Sequence, residues 1–320
     1  MRRFVLGLAV VVCVTAACAA PAAPSVAAPP SPPSPSAAVP SASPSSRADL
    51  VVGGDRPVTV HIPASYDAQQ PAPLLILLHG YSTSGKEHES YFRLGPAADA
   101  RGFVYASPDG TIDRQGNRFW NATDTCCDFD ESGVDDVAYL ADVIAEIQAS
   151  LAIDPKRIYV LGHSNGGFMA HRLACDEAEV IATIVSLAGA TYADPADCSP
   201  RTPVSVVQIH GTADDTIKYE GGTIPGSPPY PGAEATAQTW AAYDGCDEPS
   251  TPLDAKVDVD ADLASTTDPA ETTVAVWQGC TSGATVQLWT IPDGGHAPTI
   301  ASSFADTILA FLLDHPKSSP

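Results

Sequence analysis

Gly162-His163-Ser164-Asn165-Gly166 follows the apolar run Ile158-Tyr159-Val160-Leu161 and leads into Phe168-Met169-Ala170-His171-Arg172-Leu173, whose apolar residues have helical spacing. The run reads as a buried strand and the later segment as a helix, so the five residues between them are a strand-to-helix turn. Glycines at both ends suit a sharp turn, where side chains would collide with neighbouring backbone. The serine at its centre is then held up at the edge of the sheet, within reach of a substrate. The plain alternative is an ordinary connection carrying an exposed serine.

Outward from this turn, strands are predicted at Val58–Ile62, Leu74–Leu78, Val104–Ala106, Ile158–Leu161, Thr183–Leu187, Val204–Ile209 and Val286–Ile291. Helices are predicted at Tyr91–Ala100, Asp135–Ser150, Gly167–Cys175, Ala233–Tyr243 and Ser303–Leu313. In the second, Val137, Leu140, Ile144 and Ile147 recur at helical spacing, with Ser132 and Asp135 placed like a capping box. Short Val/Ile/Leu runs alternating with helices predict an α/β fold, a mostly parallel central sheet with helices on both faces. In that setting the G-x-S-x-G turn resembles the nucleophile elbow of an α/β-hydrolase.

A serine hydroxyl needs a histidine base, itself oriented by a carboxylate. In the fold that the elbow resembles, the chain order is Ser, then Asp or Glu, then His. After Ser164 the histidines are His171, His210, His296 and His315. The strand Val204–Ile209 runs into His210-Gly211-Thr212-Ala213-Asp214-Asp215, which supplies the acid and leaves His296 and His315 beyond it. His296, in Asp293-Gly294-Gly295-His296-Ala297, follows the last strand and is taken as the base. His315 ends the terminal helix and is expected to face solvent. Of the two adjacent carboxylates, Asp214 is chosen and Asp215 is left as a turn or surface residue.

The oxyanion requires two N–H donors. One is assigned to Asn165, after the nucleophile and at a helix amino terminus; the other to Tyr81, after Leu78-His79-Gly80. Trp120 and Tyr81 are expected to contact substrate, although a core position suits Trp120 equally. His79 and His163 are read as hydrogen-bonded structural residues. The acidic stretch Asp124–Glu131 lacks EF-hand spacing and is read as a solvated loop rather than a calcium site. Asn121-Ala122-Thr123 matches a glycosylation acceptor pattern.

Residues 1–18 read as an export signal: Arg2 and Arg3 lead an apolar stretch, Phe4 to Ala17, too short for a membrane span. Thr15-Ala16-Ala17-Cys18 resembles a bacterial lipobox with Cys18 as the lipidated residue, although Thr15 stands where a leucine-like residue is usual. The chain is thus expected outside the cell, either released or anchored at the outer face of a bacterial membrane. Residues 19–48, nearly all Pro, Ala and Ser, are a tether that buries too little to order itself. Residues 49–316 form one catalytic domain. With 38 acidic against 16 basic residues and a net charge of −22, nucleic acid is excluded as a partner, and so is attraction to anionic lipid. A monomer acting on an ester substrate is expected.

Beyond Cys13 and Cys18 there are six cysteines, an even number in an exported chain, and they suggest disulfides. Cys175 with Cys198 would clip the elbow helix to the following loop. Cys246 with Cys280 would close a Thr-, Asp- and Ala-rich excursion. Cys126 and Cys127 remain, as a vicinal disulfide or as two thiols. Their spacing fits no zinc pattern, so neither metal nor cofactor is expected.

Leu78-His79-Gly80, Gly162–Gly167, His210–Asp214 and Gly294-Gly295-His296 together resemble the polyhydroxybutyrate depolymerase-like (LpqC-like) esterases, relatives of secreted feruloyl and acetyl-xylan esterases. The likeness extends to Val134-Asp135-Asp136-Val137, Cys126-Cys127 and Trp289-Thr290-Ile291. It departs at Lys218, where proline is frequent, and in an expanded Gly221–Gly232 stretch. The resemblance implies an α/β-hydrolase that cleaves esters through an acyl-enzyme, with Ser164, His296 and Asp214 as triad. It points to feruloyl or acetyl esters of plant polysaccharide, or to polyesters. An acyltransferase or a non-catalytic binding protein on the same scaffold are the other classes. A prolyl-oligopeptidase-type peptidase would need a propeller domain for which the chain has no room.

Overall fold

The apolar runs become strands of one sheet, except that Val58–Val60 pairs antiparallel with Leu50–Val52 in a separate two-stranded sheet. The computed structural model describes residues 49–265 and 270–318; the export signal, Cys18 and the Pro/Ala/Ser-rich tether lie outside the described residues. The sheet contains β1 (Ala72–Leu78), β2 (Val104–Ala106), β3 (Ile153–His163), β4 (Thr183–Leu187), β5 (Ser205–Gly211), β6 (Thr251–Pro252), β7 (Thr273–Trp277) and β8 (Val286–Ile291). Their order is β6-β7-β8-β5-β4-β3-β1-β2. From β8 to β2 every pairing is parallel, and β6 and β7 add antiparallel to that edge.

Every residue of β1, β4 and β5 is buried because both faces of the sheet are covered. Alternation along β1 sends Leu74, Ile76 and Leu78 to one face and Leu75 and Leu77 to the other. The helices are α1 (Gly85–Phe92), α2 (Leu94–Arg101), α3 (Asp136–Ser150), α4 (Asn165–Asp176), α5 (Ala233–Tyr243) and α6 (Phe304–Asp314). On the first face, Leu140 and Ile144 of α3, Phe168 and Leu173 of α4 and Trp240 of α5 pack down. On the second, Phe92, Leu94, Phe304 and Leu309 do so, from α1, α2 and α6. The register pairs Leu78 with Gly162 and His163 with Leu187, so the carboxyl ends of β1, β3 and β4 come level at one edge. Brought level there, the ends of three strands become neighbours.

Four local expectations change. The single helix Tyr91–Ala100 is two, divided at Arg93, whose φ of +52° breaks the helical path. The first begins earlier because Ser84 and Glu87 form a capping box: the Ser84 hydroxyl accepts from Glu87 N and donates to the Glu87 carboxylate. At α3 the cap is Asp135, which accepts from Ala138 N at 2.9 Å. Ser132 takes no part, because Asp128 binds the backbone N–H groups of Ser132 and Gly133 and turns the chain there. The excursion between Cys246 and Cys280 supplies β6 and β7. Finally, His315 is half-buried rather than solvent-facing; its ring stacks on Phe311 and its Nδ1–H donates to the Phe311 carbonyl at 2.7 Å.

Candidate active site

The elbow is built from close backbone approaches. A Cβ on Gly162 would sit 2.0 Å from the Gly166 carbonyl oxygen, and one on Gly166 would sit 2.2 Å from that of Leu78. Only glycine fits at either place. Ser164 itself lies at φ +54°, ψ −120°, a conformation costing an L-residue about 1–3 kcal/mol. Its N–H donates to Leu187 O at 2.8 Å, and its carbonyl accepts from Phe168 N at 3.0 Å, which fixes it between β4 and the first turn of α4. The strained residue carries the hydroxyl.

Residues distant in sequence converge on that hydroxyl. His296 Nε2 lies 2.9 Å from Ser164 Oγ, and His296 Nδ1 lies 2.8 Å from Asp214 Oδ2. Nδ1–H therefore donates to the carboxylate, and Nε2 is free to accept the serine proton. The Asp214 side chain is fully buried and that of His296 is 18% exposed, so the carboxylate is sealed while the imidazole is partly open. Asp214 Oδ1 accepts from Thr216 N and Ile217 N at 2.9 and 2.8 Å. Burial alone would raise this carboxyl; donors from His210, His296 and Ile217 N outweigh it and hold it well below the ordinary carboxylate range. Asp215 is exposed and does not reach His296. The acid and histidine loops are stitched together, with Ala213 N donating to Gly294 O and Asp293 N to Thr212 Oγ1.

A buried polar relay behind Asp214 has no counterpart in the sequence reading. Trp240 Nε1–H donates to His171 Nδ1, leaving His171 Nε2–H to donate to Gln208 Oε1 at 2.9 Å. Gln208 Nε2 donates to Gly189 O and to His210 Nδ1, which fixes His210 with its proton on Nε2. That proton points to Ile217 O at 2.7 Å, with Asp214 Oδ2 at 3.3 Å. The alternation of polar Gln208 and His210 within an otherwise apolar strand was the available signal.

His79 and His163 are structural, as expected from their neighbours. His163 Nε2–H donates to the His296 carbonyl at 2.9 Å, and its Nδ1 faces His88 Nε2 at 3.0 Å. Burial pushes His163 down to about 4 and His88 to about 3, with mutual repulsion adding to the latter, so both rings are neutral at pH 7. His79 bridges Gly80 O and Gly110 N. Gly80 lies beside Ser164: a Cβ there would be 3.5 Å from Ser164 Cβ. The next N–H, that of Tyr81, is used by no backbone partner among the described residues, and Asn165 N–H opens α4, where first-turn donors lack intrahelical partners.

Trp120 does not line a cleft. Its side chain is wholly buried, its Nε1–H donates to His79 O at 3.1 Å, and it forms the floor beneath the loop that carries Gly80 and Tyr81. The core alternative prevails because the indole has both an apolar enclosure and a partner for its N–H. The side chain of Asn165 holds it: Oδ1 accepts from Trp120 N at 2.7 Å and Nδ2 donates to Trp120 O at 2.9 Å. Tyr81 is half-buried, its hydroxyl donating to Asp113 and accepting from Asn117 Nδ2, with its ring edge against Phe129. Burial and the Asp113 carboxylate push that phenol up to about 12, so it remains a donor.

The structure pairs Cys175 with Cys198, Cys246 with Cys280, and the adjacent Cys126 with Cys127. The vicinal pair borders the site, with Cys126 Sγ 3.5 Å from Asn165 Nδ2.

A strand-turn-helix serine, a histidine after the last strand and a carboxylate between them define a class. A sequence model of the alpha/beta hydrolase family matches residues 75–308. The chain belongs to that family. It is 31% identical over 253 residues to feruloyl esterase B of Piromyces equi, across 76% of this chain and 42% of that protein. It is also 31% identical over 213 residues to putative esterase NocK of Nocardia uniformis subsp. tsuyamanensis, across 64% and 60% respectively. The chain thus spans less than two thirds of the length of either relative. Among solved structures, an acetyl xylan esterase from Aspergillus awamori superposes with a TM-score of 0.58 at 14% identity, over 82% of this chain and 98% of that one. That likeness is one of fold.

Proposed function

We propose that this chain is an exported serine esterase, cleaving carboxylic esters through an acyl-enzyme, with feruloyl or acetyl esters of plant polysaccharide as its substrate class. The observation that carries the reading is the unbroken line Ser164 Oγ–His296 Nε2 and His296 Nδ1–Asp214 Oδ2, at 2.9 and 2.8 Å. As Ser164 Oγ attacks the ester carbonyl, its proton passes to His296 Nε2, and the ionised Asp214 stabilises the resulting imidazolium. The carbonyl oxygen becomes an oxyanion held by the N–H groups of Tyr81 and Asn165. His296 then protonates the departing alcohol, leaving the acyl group on Ser164. Water, deprotonated by His296, attacks that acyl group and releases the acid, and the serine regains its proton.

The substrate class is supported by the relatives' names, and the location outside the cell by three disulfides, which persist in oxidising compartments. Hydrolysis of p-nitrophenyl acetate by wild type and Ser164→Ala tests the chemistry: turnover by the variant at the wild-type rate refutes it. Preferential acyl transfer to added alcohol would make it a transferase. Methyl ferulate, acetylated xylan and polyhydroxybutyrate offered side by side test the substrate class. Polyhydroxybutyrate as the preferred substrate would replace the polysaccharide assignment with a polyester one.

A further inference from the structure

A groove of about 380 Å³ opens between the Cys126-Cys127 loop and the tip of the hairpin Gly221–Thr223/Pro229–Pro231. The hairpin tip belongs to the stretch that departs from the family pattern. It is fastened across the groove by the Thr125 hydroxyl, which is 3.0 Å from Pro229 O and 3.3 Å from Pro228 O. Two contacts link the wall of the groove to the residues proposed to hold the oxyanion. Cys126, in its wall, touches the side chain of Asn165, and Phe129, also in its wall, meets the ring of Tyr81 at 5.5 Å between centroids.

The lining is one-signed. Asp124, Asp128 and Glu131 contribute carboxylates, and among the described residues no lysine, arginine or histidine lines it. Arg172, which reaches the adjoining chain, places its Nη1 on Asn121 O and Ala122 O and its Nε beside Asp176. Arg114 stands 3.9 Å from Asp130. Phe129 is 46% exposed, an aromatic face amid carboxylates. Thr123 also lines the groove, and its hydroxyl is buried without a hydrogen-bond partner among the described residues. A buried hydroxyl without a partner is unfavourable unless an occupant or water satisfies it.

We propose that this groove is a charge-selective subsite for the part of the substrate beyond the ester bond, ranking cationic groups above neutral ones and anionic groups last. Carboxylates attract a cation and accept hydrogen bonds from neutral hydroxyls, while the open ring of Phe129 adds attraction for an ammonium group. An anion meets only repulsion. The inference rests on the esterase reading but adds to it a discrimination that the triad does not contain.

The test compares acetylcholine, its neutral isostere 3,3-dimethylbutyl acetate and a sulfonate-bearing acetate of similar size. In wild type kcat/KM should fall in that order, by about tenfold per step at low ionic strength, and the steps should shrink in 0.5 M salt, where screening is strong. In Asp124→Asn/Glu131→Gln the ratios should move towards one. A separate titration of Ser164→Ala with choline and 3,3-dimethylbutanol should show the same preference in Kd. Equal kcat/KM for the three esters with equal Kd for the two alcohols overturns the subsite, as do ratios unaltered by the double variant. If no ester is hydrolysed yet choline binds preferentially, the esterase reading fails and the groove assignment stands. The salt series on wild type keeps the test decisive even if the double variant does not fold.

Discussion

Asn165→Ala separates the two tasks assigned to that residue. The backbone N–H proposed for the oxyanion survives the substitution, while the side chain that clasps Trp120 is lost. In the native protein its Oδ1 and Nδ2 pair with Trp120 N and O at 2.7 and 2.9 Å, and both residues are fully buried. Removing the amide leaves the buried Trp120 N–H unpaired, at a cost of about 1–3 kcal/mol, while Trp120 O still accepts from Cys127 N at 3.3 Å. The cost moves towards the lower end if water enters the space the side chain leaves. For a domain of this size roughly 2 °C of Tm follows each kcal/mol, so a fall of about 2–6 °C is expected. Trp120 Nε1–H also holds His79 O, so the loop carrying Gly80 and Tyr81 should loosen, and kcat on p-nitrophenyl acetate should fall about tenfold or more. Asn165→Asp is expected to do no better: it retains an acceptor for Trp120 N but sets a carboxylate against Trp120 O. Urea unfolding and steady-state kinetics on the three proteins read both effects. Wild-type stability in Asn165→Ala would refute the clasp, and full loss of stability with unchanged kcat would refute its link to the oxyanion loop.

Asp214→Asn should lower kcat by about 10³–10⁴ with an unchanged circular dichroism spectrum, because His296 would lose the partner that sets its tautomer; Asp215→Asn should leave kcat within about twofold. The reverse pattern would reassign the acid. Gly166→Ala should prevent folding or lower Tm by about 5 °C or more, since its Cβ would meet Leu78 O at 2.2 Å, whereas Gly295→Ala, with nothing within 4 Å, should hold Tm within about 1 °C. Equal Tm values for these two variants would remove the steric account of the elbow. Buried His88, His163 and His171 lie at about 3, 4 and 4, below the unfolded value of 6.5. The unfolded chain therefore takes up their protons first, and stability should fall as pH drops from about 6.5 towards 4. Asp244, pushed up to about 7 by burial, works in the opposite direction across that range, leaving a smaller net loss. A urea midpoint that is flat or rising between pH 7 and 4.5 would contradict this.

The elements that were legible are those whose signal is local. β2, β4, β8 and α5 have the predicted ends, because apolar runs and helical periodicity are properties of neighbouring residues. The Ser84–Glu87 capping box was equally local and still went unread. The Arg93 break had no such signal, since nothing in an arginine forecasts a left-handed backbone. β6 was hidden in a polar stretch and takes its strand character from pairing with β7, whereas the Thr273–Trp277 run of β7, which pairs with β8, was a local apolar signal that went unread. Trp120 shows the limit for single residues. An indole suits a cleft wall or a core floor equally, and only the meeting of Asn165, His79 and the sheet edge decides between them.

The sequence by itself determined the α/β class, the elbow around Ser164, and, with the chain order of the fold it resembles, the choice of His296. Glycines at 162 and 166 and an apolar strand before them leave few other foldings. Tertiary structure decided which carboxylate faces His296, that Trp120 supports rather than lines the site, and that a Trp240–His171–Gln208–His210 relay stands behind Asp214. It also brought the acidic loop against the expanded hairpin to form a groove beside the elbow. The physical reason is separation along the chain: Ser164 and His296 are 132 residues apart and Thr125 and Pro229 are 104 apart. Such contacts depend on sheet register and loop packing, which no short stretch of residues encodes.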